Sequence, residues 1–392
     1  MAEVLNFEHN GITVNATESP EAMGGLGDNV IGLVGTAPNA SALLPRNTPL
    51  RLNSFTTQAQ LDPTGAEAGT LFQAVYQILK VVKVPVYVVI VEEGATPADT
   101  LNNVIGGEDP TTGRKLGLAA LNSVPEDLTI IGAPGFDALP ICSKAVAGEF
   151  AAFGKRIKAR VVLDGKDVSV ADQVNYSKEL GGAELGFDRC LLVHNLPAIY
   201  SKAAKKNVFL APSSLAIAAL AKVKQWESPG NQVTFAEDVS RVVEYNILDT
   251  STEGDLLNRY GVSYYARTVL GGFSLLGNRS VTGKFISYVG LEDAISRKLV
   301  KAGQKAMARN LTKSFMEQEV KRINDWLQTL VADETIPGGN VYLHPELNSV
   351  EKYKNGTWFV VIDYGRYAPN EHMVYQLNAR DEIIEQFLED VL

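Results

Sequence analysis

The sequence predicts an α/β fold with a largely parallel sheet, which becomes α+β when the whole chain is counted. Three observations predict it. Short β-branched runs alternate with helix-periodic ones through residues 25–250. Two long helical patterns and a β-rich tail follow, over residues 251–369. Lone alternating segments stand at both ends, in 1–24 and 370–392, set off by Gly- or Pro-containing links.

The first of these is Gly11-Ile12-Thr13-Val14-Asn15-Ala16, with period two and no hairpin partner nearby, so it needs a distant strand or another molecule. Val30–Val34 is apolar and ends in Gly35-Thr36-Ala37-Pro38. Leu71–Lys80 has helical spacing, and Val84–Val91 is the continuous β-branched run of a strand covered on both faces. A short helical stretch at Leu116–Leu121, a strand at Leu128–Ile131 and a helix at Ala145–Phe153 come next. Strands at Arg160–Leu163 and Cys190–Val193 and an Ala-rich helix at Ser213–Val223 complete the alternation.

From about Asn246 the pattern changes. Leu256–Tyr260 leads to Tyr264–Leu270, and helices are expected over Leu291–Arg309 and Thr312–Val331. In the tail, Val341–Leu343 is a strand. Asn355-Gly356 between Val350–Tyr353 and Trp358–Tyr364 reads as a hairpin turn. Met373-Val374-Tyr375-Gln376-Leu377 is strand-like, and Ile383–Leu392 is an acidic amphipathic segment.

Composition excludes several classes. A chain of 392 residues with 45% hydrophobic and 21% charged residues is long enough for two or three domains. Its net charge of −9 argues against a general nucleic-acid binder. No signal peptide is expected at MAEVLNFEHNG, and no apolar run reaches spanning length, so no membrane insertion is expected. Cys142 and Cys190 stand outside any CxxC, which suits a reducing, cytoplasmic setting.

Catalytic motifs fail on spacing. Gly277 and Gly283 are separated by five residues where a P-loop needs four, and Phe285 replaces the Mg-binding hydroxyl. Gly25-Leu26-Gly27 precedes its strand and lacks the third dinucleotide-fold glycine. Ser274 lies in a Gly-flanked stretch one residue too long for a nucleophile elbow. His9, His194, His344 and His372 are scattered without a second ligand at metal spacing, so no metal and no cofactor are expected.

One charge feature stands out. Residues 297–322 carry eight Lys and Arg against Glu317 and Glu319, a window of +6 in a chain that is otherwise −15. On an ideal helix Lys298, Lys301, Lys305 and Arg309 fall within about 80° of one face. Ile295, Leu299, Ala302 and Ala306 form the neighbouring apolar stripe. This is either a solvated face or a docking surface for something anionic.

Four segments stand in a characteristic order: Val30-Ile31-Gly32-Leu33-Val34-Gly35-Thr36-Ala37-Pro38, the turn Trp226-Glu227-Ser228-Pro229-Gly230-Asn231, Leu275-Leu276-Gly277-Asn278-Arg279-Ser280, and Gly338–Leu343 with the closing arm. Together they resemble the contractile-tail sheath proteins of myophages and R-type pyocins. Leu276 and Ser280 depart from the family's aromatic and threonine at the third segment. The resemblance implies an outer α/β domain over 25–250 and an inner, tube-facing α+β domain over 251–369, flanked by arms at 1–24 and 370–392. The arms would exchange strands between subunits, through Ile12, Val14 and Ala16 at one end and Met373, Val374, Tyr375, Gln376 and Leu377 at the other. The basic ridge Lys298/Lys301/Lys305/Arg309 would face the tail tube. Implied partners are identical subunits in a helical sheath, the tube protein, and baseplate and tail terminator proteins, in a virion tail assembled in the host bacterial cytoplasm. Contraction of that sheath would drive the tube through a cell envelope. Two other readings are open: an α/β enzyme with a divergent site near His194 or Asp164, and an anion-binding module using 297–322, whose ridge lacks stacking aromatics.

Overall fold

The computed structural model describes residues 23–136, 143–307 and 309–391. Ile12, Val14 and Ala16 lie outside the described residues. A nine-stranded mixed sheet organises most of the chain. Its strands are β1 (Ile31–Thr36), β2 (Pro49–Leu52), β3 (Val86–Val91), β4 (Ile130–Gly132), β5 (Arg160–Asp164), β6 (Cys190–Val193), β7 (Gln232–Val233), β8 (Val262–Arg267) and β9 (Phe273–Leu276). In space the order is β7-β9-β8-β6-β5-β4-β1-β3-β2. The six strands from β8 to β3 run parallel, while β2, β9 and β7 add antiparallel edges. A smaller antiparallel sheet joins Pro197–Ser201 to Lys206–Phe209 and Asp238–Val239.

The parallel core follows from sequence alternation with both faces covered. Val86, Val88 and Ile90 of β3 enter one apolar cluster with Val75 and Ile78 of α1 (Leu71–Val81). Tyr87, Val89 and Val91 point the other way, toward Leu101 of α2 (Pro97–Ile105) and Phe150 of α3 (Ser143–Ile157). Helix α4 (Val170–Glu179) also packs on that second face, and α5 (Pro212–Lys222) on the first. Strands sandwiched between two helical layers have both faces covered, which is why β1, β3 and β5 are buried throughout and mostly apolar.

A second, smaller core lies beyond residue 285. Helices α6 (Ile286–Gln304) and α7 (Lys313–Ala332) pack on β10 (Gly339–Leu343) and β11 (Val360–Tyr364), an antiparallel pair. Leu291, Ile295, Trp326, Leu327, Leu330, Ile336 and Val341 are its buried members, with Met23, Leu26 and Trp226 packed against them. Helix α8 (Glu382–Val391) ends the described chain.

Two expectations need correction. Val350–Lys354 is a short helix and not a strand, capped by the Ser349 side chain at Lys352 N. Gly356, at φ +69°, ends it, and β11 pairs instead with β10. Asn-Gly serves equally well as a helix terminator, so the local signal did not fix the partner strand. The helix expected over 291–309 begins five residues earlier and stops at Gln304, with Met307 N turning back to Gly303 O. Arg309 therefore lies off the helix that carries Lys298 and Lys301. Strands β8 and β9, which follow residue 251, belong to the same nine-stranded sheet.

Candidate assembly surfaces

The basic ridge is built by the last turns of α6. Its apolar stripe is seated as the spacing predicts, with Ile295 buried and Leu299 half-buried in the second core. Lys298 is half-buried beside Gly24, and burial, then the neighbouring Lys301 charge, pull its ammonium below the usual lysine range. Lys301 bonds Asp127 Oδ2 at 2.6 Å, a contact between the two cores. Lys305 is exposed at the end of the helix, and the Arg309 guanidinium stacks on Phe315, 5.0 Å from the ring centre. The structure thus keeps Lys298, Lys301 and Lys305 on adjacent turns and sends Arg309 to the start of α7.

The β10–β11 pair is a two-stranded sheet, so each strand keeps one edge unpaired among the described residues. Its inner face rests on α7 through Val341 and Leu327, and Gly339 lets β10 approach Leu327 closely. Two strands alone are marginally stable, and this pair depends on that helix or on added strands.

After β11 the chain leaves the core. Arg366 stacks on the Tyr288 ring at 4.4 Å, and Glu371 accepts two hydrogen bonds from Arg279 Nε, at 2.9 and 3.1 Å. Arg279 also covers the Phe285 ring at 4.2 Å. This tether was not foreseen in the sequence, although Arg279 lies in a quoted motif. Residues 365–380 are neither helix nor strand. Met373, Val374, Tyr375 and Leu377 are exposed, Leu377 at 94%. The structure does not bring these residues onto β10 or β11 of the same subunit.

The Trp226–Asn231 turn links both cores. Asn231, at φ +62°, donates its N–H to Leu275 O and starts the edge strand β7, while Trp226 packs against the second core. Just before it, Gln225 receives Arg160 Nη1 on its carbonyl and Arg297 on its amide oxygen. Burial, then the nearby Arg297 charge, lower Arg160 to about 9.

The residues considered for an enzyme have structural work. Asp164 ends β5 fully buried and accepts N–H groups of Gly135 (2.7 Å) and Ser213 (2.6 Å), pinning the start of α5. Burial pushes its carboxyl up against those bonds. His194 is fully buried after β6, and burial and Arg241 hold its imidazole down to about 4. Among the described residues no His, Cys, Asp and Glu cluster could hold a metal. None of their helices is long and apolar enough to cross a membrane.

No family model matches the chain. A relative from Pseudomonas aeruginosa strain UCBPP-PA14, described as a putative prophage major tail sheath protein, is 26% identical over 407 residues, covering 99% of both chains. Over its whole length the chain is similar to this contractile-tail sheath relative. Solved structures agree with its fold. The sheath complex of the extracellular contractile injection system PVC, in its contracted state, superposes with a TM-score of 0.70 at 13% identity, over 97% of this chain and 100% of that one. The contracted helical sheath of the anti-feeding prophage gives 0.68 at 17% identity, over 96% and 100%.

Proposed function

We propose that this sheath subunit polymerises helically around a tail tube and contracts to drive the tube through a cell envelope. The observation that carries the proposal is the pairing of two unsatisfied features. Among the described residues the β10–β11 sheet has open outer edges, and the C-terminal segment beyond the Arg279–Glu371 tether is exposed and forms neither helix nor strand. An extended segment that adds to a neighbour's sheet edge gains main-chain hydrogen bonds, with alternate side chains setting register. Met373, Val374, Tyr375, Gln376 and Leu377 supply such a strand from the C-terminal arm, and Ile12, Val14 and Ala16 from the arm at 1–24.

In this reading the nine-stranded sheet is the outer domain and the second core is the inner one. Sheet continuity through β9 supports a boundary near 285 in place of the one expected at 250. The ridge Lys298, Lys301, Lys305, with Arg309 beyond it, faces an anionic tube surface. Exposed ion pairs of about 0–1 kcal/mol each suit a grip that must release on contraction, while exchanged strands suit a link that must persist. Identical subunits are the main partners. Similarity to a chain of the anti-feeding prophage baseplate (TM-score 0.68) supports a baseplate contact as well. The tube and a tail terminator would complete a tail assembled in the bacterial cytoplasm.

The test is to delete residues 370–392 and image the purified protein by negative-stain microscopy. A protein that keeps its circular-dichroism spectrum but forms no sheath is the expected result. Normal sheaths from the truncated chain would refute strand exchange through this arm.

A further inference from the structure

Helix α8 presents an apolar face that none of the described residues of its own subunit covers. Ile384, Phe387, Leu388 and Val391 follow the i, i+3, i+4, i+7 pattern of one helix face. Their exposures run from 49% at Leu388 to 66% at Val391. Glu382, Glu385, Glu389 and Asp390 make the helix strongly acidic.

Elsewhere on the same molecule lies a surface of matching character. Between α7 and β10 an open groove of about 320 Å³ is floored by Val320, Val341 and Leu343, with Lys321, Asn324 and Asn340 on its rim. Glu317, also at this rim, faces Lys313 at 3.8 Å. The flanking stretch 297–322 is the +6 window of an acidic protein. We propose that α8 of one subunit docks in the α7/β10 groove of a second copy of this chain, apolar face down and acidic flanks toward Lys321 and the basic stretch 297–322.

Two arguments favour a second copy as the occupant. Charge complementarity matches an acidic helix to the basic stretch, and helix-in-groove recognition uses this anchor spacing. A knob on one part of a subunit and a complementary groove on another make a heterologous contact. Such contacts propagate into open helical assemblies when they do not close into rings. The link permits it: from Glu371, held by Arg279, to Glu382 the chain spans eleven residue steps, roughly 35–40 Å when extended.

The inference rests on the reading that the C-terminal arm leaves its own subunit, and the experiment separates the two. Lys321→Cys and Leu388→Cys replace exposed side chains, so folding should survive. Assembled sheaths of the double variant, treated with a short bis-maleimide and run on a denaturing gel, should give a ladder of covalent multimers. Neither single variant should do so. A cross-linked species confined to the monomer band would overturn the proposal, since α8 would then cover its own groove. Sheaths without any cross-link would overturn it too, while loss of polymer on deleting 370–392 would leave strand exchange standing. In a second arm, Phe387→Ser with Leu388→Ser should weaken each docking event at least about tenfold, read as shorter sheaths at equal protein concentration. Wild-type sheath length in that variant would count against the groove.

Discussion

Arg189 Nη1 donates to both carboxylate oxygens of Asp293, at 2.8 and 2.9 Å, across 104 residues of sequence. Both side chains are almost fully buried, Arg189 just before β6 and Asp293 in α6. Burial pushes the Asp293 carboxyl up, against the Arg189 charge that holds it down. The pair is the central polar tie between the nine-stranded sheet and the helix that carries the basic ridge. Removing one partner of a buried pair leaves an uncompensated charge in a poorly solvated place.

Asp293→Asn should therefore destabilise the subunit by about 3 kcal/mol, the lower end of the range for broken buried pairs. The lower end applies because Asp188 stays 3.5 Å from Arg189 Nε. Urea unfolding of the isolated subunit checks this, and an unchanged midpoint would show that the pair contributes little.

Gly290 lies where α6 crosses the Gln225 backbone, and a methyl group there would overlap the Gln225 carbonyl oxygen. Gly290→Ala should cost about 1–3 kcal/mol by overpacking, outweighing the gain in helix propensity. A variant more stable than wild type in thermal unfolding would contradict the close approach.

His194 gives a pH dependence. Its imidazole is held down to about 4 when folded, by burial and Arg241, against about 6.5 when unfolded. The unfolded chain therefore binds more protons between these values. The contribution is complete above pH 6.5 and declines as pH falls toward 4, by up to ~3 kcal/mol. Stability curves at pH 7 and pH 5 should converge more in His194→Gln than in wild type. Equal pH slopes in the two proteins would assign the acid sensitivity elsewhere.

For the ridge, Lys305→Glu with Arg309→Glu should impair assembly on the tube while leaving the fold intact, because Ile295 and Leu299 still seat α6. Added salt should mimic the defect by screening. Lys301→Gln is a different experiment, since it removes the exposed Asp127 pair, worth about 0–1 kcal/mol. Tube-bound sheath length is the measurement, and wild-type length in the double variant would leave the ridge as a solvated face.

The sequence by itself determined the layered core and its class. Val86–Val91 is apolar at every position because helices cover both faces, and such a run has few other solutions. The helices at Leu71–Val81, Pro212–Lys222 and Lys313–Ala332 were legible from spacing and flanking residues, and the ordered segments carried the family resemblance. Tertiary structure decided what depends on a partner far along the chain. β11 took β10 instead of the nearer Val350–Tyr353, since a strand's partner is set by the ladder and face it can bury. β7 is only two residues long, too short to show a period, and exists because Leu275 and Ser274 offer an edge. The end of α6 moved Arg309 off the ridge through a turn at Gly303. The Arg279–Glu371 tether and the Arg189–Asp293 pair join residues 92 and 104 positions apart. Charged side chains carry no mark of their partners in a sequence, because ion pairing is decided by which surfaces the core brings together.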